Sequence, residues 1–143
     1  MLVRKQNVPI NVRYNNPLNI RTGNNWEGER ERDIEKGYEE FLSPAFGFRA
    51  AYKLLMTYKN KYGAYTLDTI LNRWAPANGE HNGQTYVNHT QSYIKYVGQR
   101  LGITSNDAIP AHLYPELMLA MSDFEGAQGA FNLNQAREGV ALA

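Results

Sequence analysis

The sequence predicts a single mainly α-helical domain, residues 1–143, with a small β-hairpin excursion near its N-terminus. Three observations predict it. The length of 143 residues suits one ordinary domain with one core. From Ser43 onward, apolar residues recur at helical spacing between recognisable start and stop signals. Residues 1 to about 43 lack that periodicity and are rich in Asn, Gly and charge.

In the N-terminal part, Asn15-Asn16-Pro17 and Thr22-Gly23-Asn24-Asn25 carry turn chemistry, because Asn and Gly tolerate positive φ and proline fixes φ. Leu18 and Ile20 alternate with Asn19 and Arg21 as in a short strand, and Tyr38-Glu39-Glu40-Phe41 is its expected partner. Ser43-Pro44 then reads as the start of a helix carrying Phe48, Ala51, Tyr52, Leu55 and Tyr58, stopped by Gly63. Thr66 caps a second helix with Leu67, Ile70, Leu71 and Trp74 on one face, ended by Pro76. Residues 77–85 read as a polar loop. A third helix carries Tyr86, Tyr93, Ile94, Val97 and Leu101, with Gly102 just past its end. A fourth runs from about Tyr114 through Leu117, Ala120, Met121 and Phe124 to Gly126. Asn134 is the expected cap of a short terminal helix containing Val140 and Leu142.

Composition excludes several classes of chemistry. The apolar share of 43% and charged share of 20% are those of a folded globular chain. A formal net charge of +1, with no clustered Lys/Arg run, argues against nucleic acid as a partner. Arg4, Lys5, Arg13 and Arg21 give only a mild positive bias, read as a solvated arm. With no cysteines there is no disulfide, thiolate metal site or catalytic thiol. The three histidines, His81, His89 and His112, form no zinc-ligand pattern, so neither a metal nor another cofactor is expected. No Gly-x-Ser-x-Gly elbow and no phosphate-cradling glycine loop are present. No stretch approaches a membrane span, and Met1-Leu2-Val3 runs into Arg4-Lys5 without an apolar signal core.

Carboxylates remain. Glu125 follows Phe124 at the C-terminal end of an apolar helix, where the helix dipole and apolar neighbours both disfavour ionisation. A raised pKa is what a general acid needs near neutral pH. The plain alternative is an exposed last-turn glutamate. Glu80, between Trp74 and Tyr86, is the second candidate, with ordinary loop charge as its alternative. Glu27, Glu29, Glu31, Asp33 and Glu35 alternate with Arg30, Arg32 and Lys36 and read as a self-compensated exposed hairpin. Tyr14, Trp26, Trp74, Tyr86 and Tyr93 could stack on sugar faces beside amides that bond hydroxyls. Helix-periodic Trp74 is assigned to the core, and Trp26, in a polar turn, is the expected binding platform.

An ordered set of motifs spans residues 13 to 126. It begins with Arg13-x-Asn15-Asn16-Pro17-x-Asn19-Ile20-Arg21 and Trp26-x-Gly28. Phe41-x-Ser43-Pro44, Gly47-Phe48-Arg49-Ala50 and Arg73-Trp74-Ala75-Pro76 follow. Glu80 with Asn82, Tyr86-Val87, Ala120-Met121 and Glu125-Gly126 complete it. In these the chain resembles a group of phage and prophage virion-associated, peptidoglycan-degrading proteins related to the lytic enzyme of enveloped double-stranded-RNA phages. The resemblance implies a lysozyme-like fold and attack on peptidoglycan. It also implies other virion or lysis proteins as partners, and a location in the virion or host cytoplasm before release to the cell wall. Related wall hydrolases place a catalytic glutamate at a helix end upstream of an Asn-Asn-x-x-x-Ile-Lys/Arg segment. No glutamate precedes Asn15 in this sequence. The expectation is therefore a circularly permuted arrangement, with Glu125 from the far end of the chain packed against Asn15–Arg21.

On that reading Glu125 protonates the glycosidic oxygen between wall sugars. Tyr14, Asn16, Asn19, Arg21, Trp26, Asn82 and Tyr86 line the saccharide site. Hydrolysis and intramolecular transglycosylation both remain open. So do peptide cross-bridge cleavage, which the RNA-phage relative implies, and a wall-binding structural module without turnover.

Overall fold

A computed structural model of the protein describes residues 8–30, 37–81 and 83–143. It begins with a single helical turn, α1 (Ile10–Arg13), where the sequence predicts only irregular chain. Four residues are too few to show apolar periodicity; within the turn Asn11 is buried and bonds forward to the Pro17 carbonyl. The longest element, α2 (Pro44–Tyr62), has proline in its first turn and ends at Gly63, whose φ of 65° is left-handed. Its Phe48, Ala51 and Leu55 are fully buried, whereas Tyr52 and Tyr58 are half-buried. In α3 (Leu67–Trp74) the Thr66 hydroxyl accepts the Thr69 N–H at 3.2 Å and the Thr69 hydroxyl accepts the Thr66 N–H at 3.1 Å. That reciprocal pair satisfies two orphan donors at the helix start.

The expected polar loop at 77–85 is a β-hairpin instead. β1 (Asn78–His81) pairs antiparallel with β2 (Gln84–Val87), Asn78 facing Val87 and His81 facing Gln84. The Asn-Gly pair at 82–83 is the sequence signal for such a turn; Gly83 takes φ 79°, and Asn82 lies outside the described residues. Both strands are mostly polar and exposed, so no alternating apolar pattern marks them. Tyr86 therefore sits on a strand, and the next helix, α4 (Thr90–Leu101), begins only after it. A short 3-10 turn (Ala111–Leu113) leads into α5 (Tyr114–Glu125), whose Leu117, Ala120 and Met121 are fully buried. The last helix, α6 (Leu133–Leu142), is capped by Asn132 and not by Asn134. Asn132 and Gln135 exchange side-chain-to-backbone hydrogen bonds of 2.9 Å each, a box that Asn134 is too late in the chain to make.

The expected N-terminal hairpin exists only as isolated antiparallel contacts. Arg21 bridges Tyr38, Glu29 bridges Phe41, and the Glu39 N–H donates to the Ile20 carbonyl at 2.9 Å. Asn19 prevents a continuous strand, because its φ of 55° is left-handed and interrupts the extended run. Leu18, Ile20 and Phe41 nonetheless join the same apolar cluster as Phe48, Leu71 and Met121, so the irregular part and the helices share one core. Among the described residues no helix is long and apolar enough to cross a membrane.

Of the charge-rich stretch only Glu27, Glu29 and Arg30 are among the described residues, and their contacts reach beyond it. Residues 31–36 lie outside the described residues, but Glu27 pairs with Arg49 on α2 at 3.2 Å and Arg30 pairs with Glu40 at 3.5 Å. Glu39 and Glu40 are almost wholly buried, at 2% and 1% exposure. Burial raises the Glu39 pKa to about 7, helped by a hydrogen bond with, and the charge of, Glu29, and opposed by the Asn24 backbone. A carboxyl whose folded pKa exceeds its unfolded value binds its proton more tightly when folded. Its stabilising effect is therefore full below the unfolded pKa and lost as pH rises through the folded one. Stability is expected to fall by about 1–3 kcal/mol between pH 4.5 and 7. Glu39→Gln should flatten that slope in urea titrations at pH 5 and 8; an unchanged slope would contradict the assignment.

Candidate functional site

Two chain segments separated by 106 positions meet at the end of α5. Gly126, the residue after that helix, allows the approach: a Cβ there would collide with the side chain of Asn11. Asn11 in turn donates to the Pro17 carbonyl at 3.3 Å, so the end of α5 is seated on the Asn-rich segment. Asn19 then donates to the Glu125 backbone carbonyl at 3.2 Å, satisfying one of the carbonyls that a helix C-terminus leaves open. The same amide lies 3.5 Å from Glu125 Oε1.

The other carboxylate oxygen is held more firmly. Trp74 Nε1 donates to Oε2 at 3.3 Å from the end of α3, and the Tyr93 hydroxyl donates to it at 3.0 Å from α4. The body of Trp74 packs against the core and meets Tyr58 edge-on at 6.0 Å, while its N–H faces the acid. Tyr93 is buried, stacks on Phe124 at 4.2 Å, and has its pKa raised well above normal by burial, with Glu125 adding to the rise. Its hydroxyl stays protonated and acts as a permanent donor.

Burial raises the pKa of Glu125 above its usual value. Hydrogen bonds from Tyr93, Asn19 and Trp74, and the charge of Arg21, oppose that rise without cancelling it. Because two donors occupy Oε2, the exchangeable proton belongs on Oε1. Chemically this is a pre-oriented carboxyl group suited to donating a proton and taking one back.

Glu125 forms part of a cleft of about 380 Å³. Asn19 and Arg21 line it from the N-terminal segment, Tyr58 and Trp74 from α2 and α3, and Tyr86 and Asn88 from β2 and the residue after it. Tyr86 reaches the cleft with its ring lying across Gly79 on the opposing strand, in space that a Cβ there would fill. Of the residues expected at a site, Glu125, Asn19, Arg21 and Tyr86 thus share one cleft.

Asn82 lies outside the described residues, and the others do not line the cleft. Asn16 is fully buried: its amide donates to the Ile20 and Glu39 carbonyls at 2.9 Å each, and its oxygen accepts the Ile20 N–H at 2.9 Å. It holds the segment in shape and has no group left for a ligand. Glu80 is exposed on β1, opposite Thr85 and outside the cleft. Tyr14 is half-buried beneath Arg13, and Trp26 packs against the core instead of standing free in a turn. Trp26 lacks helical periodicity because it packs from an irregular segment, which pattern reasoning mistakes for exposure. Tyr58, Tyr38 and Asn88 escape assignment as site residues from sequence, and Trp74 and Tyr93, raised there only as possible sugar platforms, instead bond the acid. The polar tips of Trp74 and Tyr93 on apolar helix faces are the one signal available, since a buried indole or phenol needs an acceptor.

No protein-family model matches the chain. It is 36% identical over 132 residues to Protein P5 of Pseudoalteromonas phage PM2, spanning 90% of this chain and 78% of that protein. The chain belongs to the family of that protein. The relationship to a phage protein agrees with the phage character that the motifs imply. In this member of the P5 family the cleft draws on the N-terminal segment, on α2, α3 and the β-hairpin, and on the end of α5.

Proposed function

We propose that this P5-family chain cleaves the glycan strand of bacterial peptidoglycan, with Glu125 as general acid and then general base. The observation that carries the reading is the Glu125 carboxyl itself. It is withdrawn from water, anchored through Oε2 by Trp74 and Tyr93, and faces a polar, aromatic-lined cleft. Oε1 donates its proton to the glycosidic oxygen as the C1–O bond breaks through an oxocarbenium-like transition state. Glu125 is the one carboxylate among the described residues lining the cleft. With no second carboxylate among those described residues to activate water as a base, the muramyl 6-hydroxyl closes on C1, and its proton returns to Glu125. That favours a lytic transglycosylase, with Asn19, Tyr86 and Asn88 placed to orient sugar hydroxyls or the N-acetyl group. The raised Glu125 pKa predicts that lysis weakens toward alkaline pH as the proton is lost.

A second reading, a wall-binding virion module without turnover, is favoured by one feature. A carboxylate that accepts from three donors also suits a purely structural knot. Mass spectrometry of murein incubated with the protein separates the readings. Anhydromuramyl ends support the transglycosylase, reducing ends indicate hydrolysis, free amines indicate peptide cleavage, and unchanged murein leaves the binder.

A further inference from the structure

Arg21 is the one cation among the described residues lining the cleft. Its guanidinium lies over the Tyr38 ring, 4.4 Å from the centroid, and 5.8 Å from that of Tyr86. Its backbone is bridged to Tyr38, so the side chain starts from a fixed point and spans toward the β-hairpin. Among the described residues the guanidinium has neither a salt-bridge partner nor a hydrogen-bond acceptor. Contact with aromatic rings uses the flat faces of a guanidinium and leaves its in-plane N–H groups free. Those N–H groups form a fork that matches a carboxylate.

We propose that Arg21 is a carboxylate subsite, which binds an acidic substituent of the saccharide beside Glu125. This rests on the glycan reading above and narrows its substrate to acidic, muramyl-type sugars over neutral amino-sugar polymers. The carboxylate belongs either to an unsubstituted lactyl ether or to the peptide attached there. A further consequence follows from the position of Arg21. Its positive charge holds down the pKa of Glu125, opposing the rise that burial causes. An anion seated on Arg21 cancels that charge, so the acid holds its proton best when substrate is in place.

Binding of three small probes to the intact protein tests this: chitobiose, N-acetylmuramic acid and muramyl dipeptide, followed by amide NMR shifts. The acidic sugars are expected to bind about ten- to a hundredfold more tightly than chitobiose. Preference for N-acetylmuramic acid identifies the lactyl carboxylate, and preference for muramyl dipeptide identifies the peptide carboxylate. Arg21→Gln should erase the preference, bringing the acidic sugars down to the affinity of chitobiose, and Arg21→Lys should restore only part of it. Equal binding of neutral and acidic sugars overturns the subsite while leaving the glycan reading intact. So does an Arg21→Gln variant that weakens all three probes alike, which would make Arg21 only a wall of the cleft. Failure of every sugar to bind overturns both.

Discussion

Replacing Glu125 with Gln is expected to reduce wall lysis by about 10²–10⁴-fold, the range for removing a positioned general acid. The substitution keeps the shape of the side chain and retains an oxygen able to accept from Tyr93 or Trp74. What it removes is the proton on Oε1. Lysis measured by the turbidity of a murein suspension should fall to near background, and anhydromuramyl ends should vanish from the products. Thermal melting should not suffer. The folded state holds the Glu125 carboxyl neutral more readily than water does, so at alkaline pH a permanently neutral amide avoids the cost of a buried charge. A variant that melts normally yet still lyses walls would remove Glu125 from the mechanism.

Asn16→Ala should produce the largest loss of stability, about 2–4 kcal/mol, from two buried backbone groups deprived of their partners. The Ile20 N–H and the Glu39 carbonyl rely on this one amide, and the Ile20 carbonyl, which also accepts the Glu39 N–H, loses its second bond. Such a loss is a large part of the roughly 5–15 kcal/mol that holds a domain together. It should appear as a urea midpoint shifted far downward. Asn19→Ala makes the contrast. Asn19 is partly open to the cleft, and its amide serves the end of α5 and Glu125. The melting temperature should fall modestly and lysis strongly. If the two variants lost stability equally, the division between a scaffold asparagine and a cleft asparagine would fail.

That division separates what was legible in the sequence from what was not. The helices from α2 to α5 follow from apolar spacing together with Pro44, Gly63, Thr66, Pro76, Gly102 and Gly126, because caps and period are local properties. The mainly α fold class is therefore written in the chain, as is the candidacy of a glutamate at the end of an apolar helix. The Asn-rich N-terminal stretch was equally visible, but its asparagines look alike in sequence. Asn15 and Asn19 both take left-handed φ, at 50° and 55°, while Asn16 is entombed and Asn24 reaches the cleft. Only long-range contact sorts them. The β-hairpin at 78–87 was missed because its strands pack too little apolar surface to leave a pattern. The buried Glu39 and Glu40 were missed because burial of a carboxyl depends on partners brought from elsewhere, Glu29 and Arg30 among them.

By itself, then, the sequence determined the helices, their ends and the pair of features that had to meet, an asparagine-rich turn and a helix-terminal acid. Tertiary structure decided that they do meet. It placed Gly126 against Asn11, drew Trp74 and Tyr93 onto one carboxylate oxygen, and set Arg21 between Tyr38 and Tyr86 at the mouth of the same cleft. The physical reason is that helix formation is governed by neighbours within four residues. A pKa, a saturated hydrogen-bond acceptor or a free guanidinium is governed by whatever the fold brings within a few ångströms.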